Sequence, residues 1–181
     1  MDFAHTPEPW RDLFVMVGAA AGTLVGLLFV VVSLHLDRIA KRTDANMRVT
    51  VEGARNNTYH LLTVLIEAGL VLTPQPLALL GAELVAVNLF GLRLPLVIIR
   101  RYLGQGITIS ERRGFPTRLI ATIIAAYLLG AAGGAALLFS QQWGLYLVAA
   151  SCMTKLVRTV LTAWMLMFGM FHVQFADEGS A

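Results

Sequence analysis

Three charged residues stand inside stretches that are otherwise greasy: Glu67 in residues 59–72, and Lys155 and Arg158 in residues 143–171. A charge in an apolar medium is costly unless it meets water or an opposite charge, so each of these side chains should point inward. Their spacing says the same. Asn56, His60, Thr63 and Glu67 recur at intervals of four, three and four, and Ser151, Lys155, Arg158 and Thr162 repeat those intervals. Residues so spaced share one face of a helix. Glu83, Asn88 and Arg93 lie in a third apolar stretch, residues 77–99. Counted from the cytoplasmic side at ~1.5 Å per residue, Glu67 lies about 12–15 Å deep and Arg158 about 18 Å deep. The count predicts a Glu67–Arg158 ion pair, with Lys155 leaning toward Glu83. Glu67, Arg158, Lys155, Glu83, Asn88 and His60 thus form the candidate polar network. Two acids and two bases sum to zero, which suits a structural network. The functional reading is a hydrated path for ions, protons or a small polar solute.

Other chemistry is thinly represented. Cys152 is the single cysteine, so no intrachain disulfide can form. His35, His60 and His172 should all fall near the cytoplasmic interface, but their spacing contains no HxxxH ligand pattern. No metal and no cofactor is expected. Two cations three residues apart are too few for steep voltage sensing. No GxSxG, HExxH, P-loop or GxGxxG motif occurs, and no catalytic residue is assigned. The sequon Asn56-Asn57-Thr58 falls on the expected cytoplasmic side, where it would not be glycosylated.

The elements that must hold these residues follow from where the charges are not. The 181 residues are 57% hydrophobic and 14% charged, and the charges are clustered. Uncharged stretches of this length leave a water-soluble fold too little polar surface. The reading is an all-α integral membrane bundle, one domain over residues 1–181, with spans at about 13–36, 57–73, 77–99, 119–139 and 143–171. The second span is short, so its helix should begin in the preceding polar tract as an amphipathic cytoplasmic extension over about 44–57. Thr73-Pro74-Gln75-Pro76 breaks the chain into a hairpin, and Ser140-Gln141-Gln142 forms a minimal turn. Pro95 should kink the end of the third span, a loop should run from Arg100 to Arg118, and the tail from His172 should fray.

The basic residues orient the bundle. Arg38, Lys41, Arg42, Arg48 and Arg55 lie between spans one and two, and Arg100, Arg101, Arg112, Arg113 and Arg118 between spans three and four. The two turns on the opposite side carry no Lys or Arg. Positive loops stay in the cytoplasm, which puts the N-terminus outside and the C-terminus inside, and Trp10 and Trp143 at the outer interface. The basic residues are topology signals, and no nucleic-acid partner is expected.

Gly18, Gly22 and Gly26 align on one face of the first span, where small residues let another backbone approach closely. They mark either a self-association seam or packing within one protomer. A similar run, Gly130 through Ala136, reads as internal packing.

The run over residues 14–34, FVMVGAAAGTLVGLLFVVVSL, resembles the first span of a widespread set of uncharacterised small multi-pass membrane proteins of bacteria. Leu72-Thr73-Pro74-Gln75-Pro76 with Gly81-Ala82-Glu83-Leu84 is similar to their second hairpin. The resemblance covers about the first half of the chain, and it implies the bacterial cytoplasmic membrane. The leading expectation is a homo-oligomeric, channel-like or transport-related protein for ions or small polar solutes. The alternative is a non-transporting regulatory or scaffold subunit that binds another membrane protein.

Overall fold

The computed structural model describes residues 8–34, 45–104 and 117–178, with side chains mainly over 10–33, 55–97 and 121–164. Among the described residues there are five helices: α1 (Glu8–Leu34), α2 (Ala45–Leu72), α3 (Leu77–Gly104), α4 (Thr117–Leu138) and α5 (Gly144–Glu178). The fold is all-α. Segments of α1, α3, α4 and α5 are long and apolar enough to cross a membrane. α2 is not among these four, because Asn56, Asn57, Thr58, His60, Thr63 and Glu67 interrupt its apolar residues.

The polar tract before residue 57 joins the second apolar stretch as one continuous helix, α2. Two expected boundaries move. α3 runs through Pro95 to Gly104, where a loop was expected from Arg100, and α5 runs to Glu178, past the expected fraying point at His172. Proline removes one ladder donor, and a helix flanked by others tolerates that loss. His35, Asp44 and most of the basic loop at 105–116 lie outside the described residues, as do the side chains of 45–54 and His172.

The two hairpins have clear local causes. Pro74 disfavours helical geometry at Thr73, and the Thr73 hydroxyl donates to the Gly69 carbonyl at 2.9 Å as α2 ends. The Pro76 carbonyl then accepts from the Leu79 and Leu80 amides at 3.0 Å, which starts α3. At the α4–α5 turn Ser140 takes φ 58°. Its amide donates to Leu137 O and that of Gln141 to Ala136 O, both at 2.9 Å, a Schellman closure of α4.

α2, α3, α4 and α5 form a ring in which each helix packs on its two neighbours, while α1 lies outside against α2 and, less extensively, α5. α4 comes closest to α3 and α5 because it is small-faced: a Cβ on Gly81 would stand 2.6 Å from the Gly134 carbonyl oxygen, and one on Gly144 would stand 2.5 Å from that of Gly133. Trp10 packs edge-on to Tyr146 with ring centroids 4.6 Å apart, so α1 and α5 begin at the same end of the bundle. The two hairpin turns lie at that end as well. There the interior is filled by Val71, Leu80, Leu84, Leu137, Leu145 and Val148.

Candidate functional site

Below that apolar layer the ring is polar at its centre. Glu67 on α2 and Lys155 on α5 have fully buried side chains and form an ion pair, Nζ to Oε1, at 2.6 Å. Lys155 also donates to Asn88 Oδ1 on α3 at 2.8 Å. Its ammonium sits 4.4 Å from the centroid of the Tyr127 ring on α4, a cation–π contact. Asn88 in turn donates to Leu84 O at 2.9 Å, which fixes its amide so that Oδ1 faces the ammonium. The Cys152 thiol donates to the second carboxylate oxygen, Glu67 Oε2, at 3.0 Å.

Tyr127 carries the network toward the other end of α2. Its hydroxyl is 2.7 Å from His60 Nδ1 and 3.5 Å from Thr63 Oγ1. The hydroxyl donates to Thr63 Oγ1, whose own proton goes to the Tyr59 carbonyl at 2.9 Å, and the direction of the contact with His60 Nδ1 follows the imidazole tautomer. Both diagonals of the ring are thus bridged by polar contacts: α5 to α3 through Lys155–Asn88, and α4 to α2 through Tyr127–His60. Glycines make room for this. A Cβ on Gly91 would strike the Tyr127 ring, and one on Gly130 would strike the Asn88 amide.

Energetically such a centre is a balance. Two buried charges lose their hydration, and only close geometry with further hydrogen bonds offsets that loss. Here the pair is short and each partner has an additional polar contact. Ser151 is buried too and donates to Ala126 O at 2.7 Å, tying α5 to α4 beside the pair.

The structure brings together Glu67, Lys155, Asn88 and His60, and changes their expected pairing. Lys155, not Arg158, is the base at 2.6 Å from Glu67, and Glu83 accepts from Gln75 Nε2 at 2.8 Å instead of attracting Lys155. The depth count failed because it was anchored at residue 171, and α5 continues to Glu178 with no sequence marker at the level assumed. Arg158 lies one turn along α5, 7% exposed, with its charge acting on Tyr127 and His60. His60 is an interior residue, 1% exposed, rather than an interfacial anchor.

Tyr127 is the member that sequence reading missed. It stands in an uninterrupted apolar run, and the one available signal was a phenol among the glycines and alanines of a packing face. Gly18 meets the Ala68 Cβ on α2, at 3.3 Å from the position its own Cβ would take, whereas nothing lies within 4 Å of those positions at Gly22 and Gly26. Among the described residues no three His, Cys, Asp or Glu side chains gather as a metal site requires.

No family model, no curated protein and no solved structure matches the chain.

Proposed function

We propose that the chain is a five-span protein of the bacterial cytoplasmic membrane. In this reading the polar centre of its helix ring belongs to a transport path for an ion or small polar solute, within a homo-oligomer. The observation that carries the reading is the fully buried Lys155–Glu67 pair on the ring axis, joined by Asn88, Tyr127 and His60.

A bilayer explains the distribution of side chains. Inside are Asn57, His60, Glu67, Asn88, Lys155 and Arg158, while Phe29, Phe90, Phe139 and Trp164 face outward, each more than half exposed. In water that arrangement has the wrong sign on both faces. α2 serves as the fifth span because its polar residues face the ring, while Leu62, Leu65 and Ile66 face out. The basic loops put the N-terminus outside and the C-terminus in the cytoplasm. The buried polar side chains then lie in the cytoplasmic half and end at Glu67, below the dry layer of Val71, Leu84 and Val148. A polar half that meets a dry half suits a path closed on one side, as alternating access or a gate requires.

The open face at Gly22 and Gly26 supports close approach by a second backbone. It also favours the second reading, a scaffold that binds another membrane protein there. Flux across proteoliposomes discriminates the two. Glu67→Gln should change the permeability of vesicles carrying purified protein to protons or small ions. If the variant is destabilised and permeability stays at the wild-type level, the transport reading fails and the scaffold reading stands.

A further inference from the structure

Toward the N-terminal end of α2, the buried face that carries Glu67 holds polar atoms that the fold leaves unused. Asn57 is completely buried, and among the described residues neither its Oδ1 nor its Nδ2 has a hydrogen-bond partner. His60 is 1% exposed, and its Nε2 is likewise unpaired among the described residues. The buried Oδ1 of Asn56 is the fourth such atom. Asn56 and Asn57 precede His60 by four and three residues, so each neighbours the His60 side chain on the helix surface. Buried polar atoms are almost always hydrogen-bonded, because losing water without gaining a partner is costly. Four of them within about 6 Å of helix rise mark a place where something other than the protein supplies the bonds.

The atoms select the ligand by what each must be given. Both functions of the Asn57 amide are unpaired, so this one side chain offers a donor and an acceptor whichever way the amide is turned. The Nε2 of His60 donates in one tautomer and accepts in the other, so it adds a bond to either kind of ligand. A bare cation binds oxygens alone and leaves the Asn57 Nδ2 protons unused. An anion without a proton, such as chloride, leaves Asn57 Oδ1 unused. A ligand that both donates and accepts leaves neither. Nor does the ion pair call for a charged ligand, because Glu67 and Lys155 neutralise each other at 2.6 Å.

We propose that Asn56, Asn57 and His60 bind a small uncharged ligand that both donates and accepts hydrogen bonds. Internal water has this chemistry, and so has a small amide or polyol solute. As the content of the transport path the assignment rests on the reading above, and it gives that path an uncharged polar molecule, water included, in place of an ion. Binding itself is measured without flux, so either can fail alone.

The test uses the full chain in phosphatidylcholine vesicles. It follows the Asn57 side-chain amide and the His60 ring by solid-state nitrogen NMR, the amide signal being identified by its loss in Asn57→Leu. If water is the ligand, magnetisation from water should reach the buried Asn57 amide as quickly as it reaches exposed groups, and Asn57→Leu should slow its transfer to the His60 ring. If a solute is, urea or glycerol should shift both signals saturably. Asn57→Leu should then raise the concentration that half-shifts the His60 ring by about tenfold or more, from loss of two hydrogen bonds. Asn57→Asp keeps the size but as a carboxylate only accepts, so it should weaken the solute response as well and guards against misfolding of the leucine variant. An Asn57 amide that receives no water magnetisation and ignores urea and glycerol overturns the assignment. So does a saturable shift by sodium phosphate or sodium chloride, which would make the ligand an ion, or a solute response that survives both substitutions. Entry of water, urea and glycerol into the vesicles, read by stopped-flow light scattering, bears on the transport reading alone. Binding without flux sinks that reading and keeps the site, and flux with a dry, unresponsive amide does the reverse.

Discussion

Removing one member of the Glu67–Lys155 pair should cost far more than removing both. Consider Lys155→Met, which keeps most of the side-chain length. Of the two donors that the structure gives Glu67, only the Cys152 thiol at 3.0 Å remains, and the carboxylate stays fully buried. An uncompensated buried charge of this kind costs about 3–5 kcal/mol. At ~1.4 kcal/mol per factor of ten, that is roughly two to four decades in the folding equilibrium. Glu67→Met has a comparable cost, since Lys155 keeps only the neutral Asn88 Oδ1 at 2.8 Å and the Tyr127 ring face at 4.4 Å. If the two effects were independent, the double variant would lose about 6–10 kcal/mol. It should instead lose about 1–3 kcal/mol, set by Asn88 Oδ1 losing its donor. The assay is reversible unfolding in mixed micelles with increasing denaturing detergent, followed by the fluorescence of Trp10, Trp143 and Trp164. A double variant within about 0.5 kcal/mol of the sum of the singles would refute the pairing, because groups that interact are not additive.

Three further outcomes follow from the same geometry. Tyr127→Phe removes the hydroxyl 2.7 Å from His60 Nδ1 and should lower stability by about 1–3 kcal/mol; the nitrogen chemical shifts of the His60 ring should move with it, and unchanged shifts would deny the contact. Gly130→Ala drives a methyl into the Asn88 amide and should cost about 1–3 kcal/mol by overpacking, whereas Gly22→Ala, with open space around it, should leave protomer stability within about 0.5 kcal/mol; equal costs at the two sites would contradict the packing. Ser140→Gly relieves a left-handed residue at φ 58° and should stabilise by about 1 kcal/mol, read as a higher thermal midpoint.

The parts of this fold that could be read from sequence are those governed by local rules. Prolines at 74 and 76 announced the hairpin, and clustered charges separated by apolar runs announced the helices. The inward stripe on α2 was legible because a period of three and four residues admits one geometry. What could not be read was register between helices, since relative sliding depends on packing contacts spread over many residues. Glu67 is nearly level with Lys155 only because α5 begins beyond the end of α2, and nothing in either segment records that offset. Tyr127 escaped for a related reason. A phenol in an apolar run faces lipid or the interior depending on a rotation of α4, and that rotation is set by Gly81, Gly91, Gly130 and Gly134 together.

These glycines bear on function as much as on packing. Close helices leave little volume on the ring axis, and that volume is filled by one lysine, one carboxylate, one amide and one phenol. A pore for hydrated ions does not fit between them. What the axis can do is exchange partners. Lys155 has three acceptors within reach on α2, α3 and α4, so a shift of any one helix re-divides its contacts without stranding the charge. A bistable centre of that kind would couple the His60 end of the network to the closed layer beyond Glu67. The prediction is specific to register: substitutions in the dry layer, such as Leu84→Ala, should move the nitrogen chemical shifts of the His60 ring at the opposite end of the network. If such a variant keeps those shifts at their wild-type positions, the two ends are uncoupled, and the buried ion pair is a structural clasp.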